Sequence, residues 1–402
     1  MLLQIYIIMA TDTGNKFIGR MMSGAIREAA GYFPVITLTG PRQSGKSTLL
    51  RHIFPDVPYR SLEDIDIREF ASRDPKGFFG GFAEGVIIDE VQHVPGLLSY
   101  IQGIVDDDPS RKFYLTGSLQ FSLLKNVTQS LAGRTAVFEL LPLSLAEIAG
   151  LDSGKDADGL LYDGFYPAIW SGKNIPRLLY PNYTKTYLER DVRDMLAIRE
   201  LDSFRRFVRL CAARIGSVFN ASELSNELGV AVNTIGAWLS VLQASYIVYL
   251  LPPFYTNTRK RLTKSPKIYF IDTGLASYLL DIDSPGTMNR DKMRGHLFEN
   301  MVIMDVLKSR YNAGLEANLY FYRDSNGNEV DLLVKLGQEY RCLEIKSSNT
   351  FHPDFTKGLR SFENAFPGLV ADKTVVYAGE DMPVSSDGVS ILNYRTAATD
   401  KY

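Results

Sequence analysis

One octapeptide limits what this chain can fold into more than any other stretch. Gly40-Pro41-Arg42-Gln43-Ser44-Gly45-Lys46-Ser47 matches the pattern G-x-x-x-x-G-K-[ST] in full, and Thr48 follows it. Residues 35–38, Val-Ile-Thr-Leu, read as a buried strand before it. Residues 48–53 have helical periodicity and stop at Pro55. Strand, glycine-bearing loop and helix in that order call for an α/β layer with the loop at the carboxyl end of a strand. Gly40 and Gly45 let the backbone wrap closely, so that its N–H groups face an anion. The helix N-terminus adds partial positive charge. In this pattern Lys46 reaches the β- and γ-phosphates of a nucleotide, and the Ser47 hydroxyl ligates Mg²⁺. A chance match in a solvated loop is the competing reading, and the flanking strand and helix argue against it.

A second element strengthens the nucleotide reading. Residues 85–90, Gly-Val-Ile-Ile-Asp-Glu, form an apolar strand that ends in two acids. Alone the pattern is weak; a few tens of residues after a phosphate loop it is strong. Asp89 is the candidate Mg²⁺ holder, and Glu90 the general base that polarises an attacking water. A third strand, residues 112–118, ends in small polar side chains, and Thr116 and Ser118 are γ-phosphate sensor candidates or simple turn and cap residues. Arg134 precedes a strand at residues 137–140. It is read either as an arginine finger directed at a neighbouring subunit's nucleotide or as a salt-bridge partner.

The segments TGPRQSGKST, VIIDEVQ, YLTGSLQ and LAGRTAVFELLPLSLAE together resemble a prokaryotic AAA+-type P-loop ATPase family whose members carry a fused C-terminal domain. The resemblance covers most of the chain and implies an ATP-binding AAA+-like core, with no assigned biological task. Residues 141–144 mark the end of that core.

At 402 residues the chain exceeds one ordinary core, and its 45% hydrophobic and 22% charged residues are those of a globular protein. The expected domains are 1–150, an AAA+-like core; 151–285, a helical lid and winged-helix region; and 286–402, a restriction-endonuclease-like α/β domain. A net charge of −2 makes any nucleic-acid surface a local one. Two cysteines, Cys211 and Cys342, without metal-like spacing fit a reducing cytoplasm. The apolar opening, residues 1–10, is too short to span a bilayer and has no basic leader, so no membrane association is expected. Met9, Met21 and Met22 are alternative start positions.

Beyond the core, residues 152–159 read as a polar surface connection. Residues 164–167, Gly-Phe-Tyr-Pro, are similar to a Gly-Gly-Phe/Tyr-Pro segment of the same family, with Asp163 in place of its first glycine. Arg190 and Arg193 share a helix face, as a salt-bridged surface or as a nucleotide sensor. Residues 221–240 read as helix, turn, helix, with Ser222 as cap, Gly229 as turn, and Leu224, Leu228, Ile235, Trp238 and Leu239 facing inward. Strands at 245–251 and 267–271 complete a winged helix. Its second helix carries no Lys or Arg, which argues against phosphate contact there. The nucleic-acid candidates lie instead in the basic run Arg259, Lys260, Arg261, Lys264 and Lys267. Residues 181–267 hold thirteen Lys and Arg against seven Asp and Glu.

The C-terminal third presents a helix with Glu299, a strand with Asp331 after an Asn326-Gly327 turn, and a strand with Glu344-Ile345-Lys346. This ordered set resembles the PD-(D/E)xK fold, without its proline: Glu329-Val330 precedes Asp331. Residues two apart on a strand face one side, so Glu344 and Lys346 project together. Asp331 and Glu344 are the expected ligands of Mg²⁺, or of Mn²⁺ as the alternative; Glu299 adds a ligand or positions water; Lys346 stabilises developing negative charge or helps orient the nucleophilic water. His296 is read as packed or exposed. The functional expectation is an ATPase acting on nucleic acid through a nuclease-like module, as a monomer or a homo-oligomer. A nucleotide-dependent switch that docks a protein is the alternative. A small-molecule kinase is disfavoured by Glu90.

Overall fold

The computed structural model describes residues 17–118, 130–152, 154–188, 201–255, 265–400 and 402. The chain divides into two compact units. The first comprises Met1–Leu143 with Ala244–Tyr246 and Tyr311–Leu315; the second comprises Ser144–Gln243, Ile247–Arg310 and Glu316–Tyr402.

The first unit is built on a parallel sheet. Its strands are β1 (Val35–Thr39), β2 (Tyr59–Ser61), β3 (Gly85–Asp89), β4 (Lys112–Gly117) and β5 (Thr135–Glu139), in the order β2-β3-β4-β1-β5. Helices α1 (Ser23–Tyr32), α2 (Lys46–Ile53) and α3 (Leu97–Asp107) pack with it. Strands covered on both faces are predominantly apolar, and every residue of β1 and β3 is buried, Thr37, Thr39 and Asp89 included. Alternation sends successive side chains to opposite faces. Ile36, Leu38, Ile87 and Tyr114 meet Leu49, Leu50 and Ile53 of α2. Val35, Val86, Ile88, Phe113 and Leu115 meet Leu97, Leu98, Ile101 and Val105 of α3. Each such aliphatic side chain contributes about 1.5–3 kcal/mol of burial. The chain leaves β1 for one edge of the sheet and returns to lay β5 on its other side. That reversal opens a crevice at the carboxyl ends beside β1.

In the second unit, α4 (Leu201–Ala212), α5 (Ala221–Leu228) and α6 (Val232–Ala244) precede an antiparallel pair, β6 (Val248–Leu251) and β7 (Lys267–Phe270). Leu224, Leu228, Ile235, Trp238 and Leu239 are all buried, and Trp238 packs edge-on against Phe204 of α4. The cap of α5 is Asn220, whose side chain accepts from the N–H groups of Ser222 and Glu223; the expected cap, Ser222, is already inside the helix. Gly229 turns the chain at φ +69°. The C-terminal sheet runs β12-β11-β10-β9-β8, from β8 (Leu319–Arg323), β9 (Glu329–Leu336), β10 (Glu339–Lys346), β11 (Val370–Tyr377) and β12 (Val389–Asn393). β8, β9 and β10 form an antiparallel meander, whereas β10, β11 and β12 are parallel. Helices α7 (Arg294–Asn312) and α8 (Lys357–Ala365) belong to the same part of the chain.

In the expected polar connection at 152–159, residues 154–156 are exposed and irregular, whereas a helix begins at Ala157 and two acids of the stretch are buried. Asp152 is buried and ion-paired with Arg395, and Asp158 is buried 2.6 Å from Arg294 Nε. Both acids find their partners far along the sequence, beyond the reach of local composition. Among the described residues no helix is long and apolar enough to cross a membrane.

Candidate functional site

The phosphate loop leaves β1 at Gly40, where φ is +143° and an added Cβ would lie 2.2 Å from the Leu140 carbonyl oxygen. Only glycine fits between the two strand ends. Gln43 at φ +63° and Gly45 at φ +94° finish the wrap. No side chain caps α2, so its first N–H groups turn to the loop. Lys46 Nζ donates to the carbonyl oxygens of Gly40 at 3.0 Å and Pro41 at 2.8 Å. Arg20 pins the loop from outside, donating to Ser44 O at 2.8 Å and Leu141 O at 2.7 Å. Ser44 Oγ is buried without a partner among the described residues. Glycine-only clearance, an uncapped helix start, a lysine folded onto loop carbonyls and an orphan hydroxyl are what a nucleotide's phosphates require.

The acids at the end of β3 close the site. Asp89 accepts from Ser47 Oγ at 2.7 Å, from Tyr59 OH at 2.7 Å and from Thr116 Oγ1. Burial, then the bond to Asp89, pushes the Tyr59 phenol up to about 12. Glu90 sits at φ +54°, an uncommon backbone for a non-glycine residue, and its N–H donates to Thr116 Oγ1 at 3.4 Å. Its Oε2 accepts from Ser118 Oγ at 3.2 Å and from Gln92 Nε2. Thr116 and Ser118 thus contact the two acids. Ser47 and Asp89 suit a Mg²⁺ ion, with a hydroxyl and a carboxylate already converged.

Arg134 is engaged elsewhere, in a two-pronged pair with Asp106 at 2.5 and 2.8 Å that holds the Asp106 carboxyl below its usual range. Tyr59, Gln92 and Arg20 did not emerge from the sequence. Tyr59 and Arg20 join the site only through the fold, whereas Gln92 stands two residues after Glu90 in the quoted VIIDEVQ. Tyr246 is a further unforeseen neighbour, its hydroxyl 2.7 Å from Thr39 Oγ1 at the root of the loop.

A second cluster lies in the other unit. Strand alternation supplies three pairs: Lys267 and Tyr269 on β7, Glu329 and Asp331 on β9, Glu344 and Lys346 on β10; α7 adds Glu299. Lys346 Nζ lies 2.5 Å from Glu344 and 3.7 Å from Asp331. Lys267 Nζ lies 3.5 Å from Glu299 and is ion-paired with Glu329. Tyr269 OH donates to Glu299 at 2.5 Å, and Ile345 N–H donates to Asp331 at 2.8 Å. Burial, then the Asp331 charge, pushes Glu299 up to about 7 and Glu344 up to about 8. Burial works against both ammonium groups, and the surrounding carboxylates outweigh it, leaving both lysines raised. His296 is lowered by burial and then by Lys267.

Two expectations are corrected here. Lys267 is no surface phosphate contact: its side chain is 5% exposed and held by two glutamates, because it opens strand β7 rather than ending the basic run. Glu299 is tied to Tyr269 and Lys267 rather than set as a third ligand with Asp331 and Glu344. Among the described residues no three His, Cys, Asp or Glu side chains are arranged around one ion. The pair Asp331 and Glu344 still suits Mg²⁺, which takes one or two carboxylates and fills the rest with water and phosphate oxygens. Glu344 Oε2 is buried and unpartnered, a hard oxygen suited to a cation. Arg190, Arg193, Arg259, Lys260, Arg261 and Lys264 lie outside the described residues.

Residues 32–149 match the family profile described as an AAA domain. Over 382 residues the chain is 32% identical to the uncharacterized protein Rv2008c of Mycobacterium tuberculosis, covering 92% of this chain and 83% of the relative. The chain belongs to an AAA-domain P-loop ATPase family. The rest of this ATPase matches two domains of unknown function, DUF8612 at residues 154–286 and DUF4143 at residues 294–396. It is also 22% identical over 381 residues to the uncharacterized protein MJ1544 of Methanocaldococcus jannaschii, covering 85% of this chain and 81% of the relative. Among solved structures, the Walker-type ATPase Paby2304 of Pyrococcus abyssi is similar at 15% identity, with TM-score 0.46, covering 69% of this chain and 99% of that one.

Proposed function

We propose that this protein hydrolyses ATP and couples the cycle to nucleic acid, which a metal-dependent, nuclease-like C-terminal module binds or cuts. The observation that carries the reading is the 2.7 Å contact between Ser47 of the phosphate loop and Asp89 at the end of β3, with Glu90 beside it. Lys46 exchanges the Gly40 and Pro41 carbonyls for phosphate oxygens, and the first N–H groups of α2 donate to the remaining phosphate oxygens. Ser47 and Asp89 would hold Mg²⁺, which when bound neutralises charge on the β- and γ-phosphates. Glu90 takes the proton of the attacking water, while Thr116 and Ser118 hold the two acids in place. In a homo-oligomer Arg134 would have to leave Asp106 to serve a neighbour's nucleotide.

The nucleic-acid half rests on two supports. Helices α5 and α6 with the β6–β7 pair suit a winged helix, and Asp331, Glu344 and Lys346 suit a restriction-endonuclease-like site holding Mg²⁺ or Mn²⁺. Lys346 would stabilise charge on a phosphodiester after leaving Glu344. A specific observation favours the second reading, a nucleotide switch that docks a protein: α6 carries no Lys or Arg, and Lys267 is buried. ATP hydrolysis and DNA or RNA cleavage, each measured with and without the other ligand, separate the two. Stimulation of one activity by the other's ligand supports the first reading. ATP hydrolysis without any binding or cutting of nucleic acid moves the account to the second.

A further inference from the structure

We infer that Gln92 positions the water that attacks ATP, a role resting on the reading of Glu90 as the general base. Gln92 lies in the short 3-10 turn Val91–His93, directly after Glu90. A carboxylate only accepts hydrogen bonds, so the amide must turn its Nε2 toward Glu90; it does so, and Nε2 also lies 3.5 Å from Ser118 Oγ. Chemistry therefore fixes which end of the amide is which. The other end, Oε1, is buried and has no partner among the described residues. A buried carbonyl oxygen left unpaired costs about 1–3 kcal/mol, so a native site that keeps one uses it for a donor that arrives later. A planar amide holds nitrogen and oxygen side by side, so a donor to Oε1 is within reach of the carboxylate that Nε2 holds.

An attacking water has two O–H groups. Glu90 takes the proton of one, and the second needs an acceptor that does not compete for it. A neutral amide oxygen is such an acceptor: it orients the water and keeps no proton. Gln92 and Ser118 both donate to Glu90 Oε2, which assigns Oε1 of Glu90 to the proton transfer. In the step, the water oxygen bonds to the γ-phosphorus and the bond from that phosphorus to the β–γ bridging oxygen breaks. ADP leaves with the electron pair. One proton passes to Glu90 and then to solvent; the one directed at Gln92 stays on the product phosphate. The left-handed backbone of Glu90, a strain of about 1–3 kcal/mol, is what places its carboxylate and the next turn's amide side by side.

The test uses the full chain and Gln92→Met, which keeps the bulk and removes both polar atoms. ATP turnover is measured together with equilibrium binding of ADP·BeF₃⁻, a ground-state mimic, and ADP·AlF₄⁻, a transition-state mimic that needs the water in line. The inference expects kcat to fall about 100-fold with KM unchanged. ADP·AlF₄⁻ binding weakens at least about tenfold while ADP·BeF₃⁻ binding holds, which also reports a folded site. Glu90→Gln combined with Gln92→Met is no slower than Glu90→Gln alone, because both act on one water. A Gln92→Met kcat within about twofold of the parent, or equal weakening of both mimics, overturns the role of Gln92. A Glu90→Gln variant that turns over at the parent rate defeats the reading of Glu90 instead.

Discussion

Lys267→Met removes a buried ammonium that Glu299 and the more exposed Glu329 share. Its Nζ lies 3.5 Å from Glu299, its side chain is 5% exposed, and that of Glu299 is 15% exposed. At an effective dielectric constant of about 20, opposite charges at that separation attract by about 5 kcal/mol. Desolvation offsets part of this in the pair, but removing one partner leaves the other charge buried, at a cost of about 3–5 kcal/mol. The cost depends on pH with a definite sign. The folded-state value of Glu299 is raised from 4.5 to about 7, so the folded state holds the proton more tightly than the unfolded chain. Stability therefore falls as pH rises between those values. Without Lys267 the folded-state value rises further, and the fall extends to higher pH. The variant should lose about 3–5 kcal/mol at about pH 8.5 and clearly less at about pH 5.5, where Glu299 is neutral and the pairing with the more exposed Glu329 is what is lost. Both tryptophans, Trp170 and Trp238, belong to the same unit as the cluster, so urea unfolding followed by tryptophan fluorescence reports the right transition. Adding Glu299→Gln should recover part of the loss. A loss independent of pH, or under about 1 kcal/mol at the higher pH, would refute the electrostatic reasoning.

Three further outcomes follow from the geometry. Gly40→Ala drives a Cβ to 2.2 Å from the Leu140 carbonyl, so the ends of β1 and β5 must part; ATP affinity should fall at least about tenfold in a fluorescent-nucleotide titration, with about 1–3 kcal/mol of added backbone strain. Tyr59→Phe deletes a donor to Asp89 worth about 1.5–3 kcal/mol; kcat should drop about tenfold in steady-state assays while ATP affinity measured without Mg²⁺ stays unchanged. Glu344→Ala and Lys346→Ala should each abolish Mg²⁺- or Mn²⁺-dependent cleavage of nucleic acid on gels and leave ATP turnover intact; cleavage that survives both substitutions would remove the site from this cluster.

The phosphate loop was legible because its parts are contiguous: Gly40, Gly45, Lys46 and Ser47 act within one turn of chain, and the strands before it and before Asp89 are mostly apolar because both faces are buried. Asp89 and Glu90 could be read as strand-end acids, but the hydroxyls that hold them come from β2, β4 and the loop, which only sheet order brings together. Lys267 was misread because composition grouped it with Arg259 to Lys264, whereas alternation along β7 sets it with Tyr269 against the acids. The α5 cap missed by two residues because Asn220 and Ser222 are both good caps, and only the backbone path chooses between them. Asp152 and Asp158 looked like surface residues until Arg395 and Arg294 arrived from distant segments.

The most direct measurement is an equilibrium titration of the intact protein with ATP, in Mg²⁺ and in chelator, alongside Lys46→Ala. Saturable binding that tightens with Mg²⁺ and weakens at least about tenfold in the variant is the predicted result. Failure of the parent to bind nucleotide, or equal affinity of parent and variant, would contradict the account at its root.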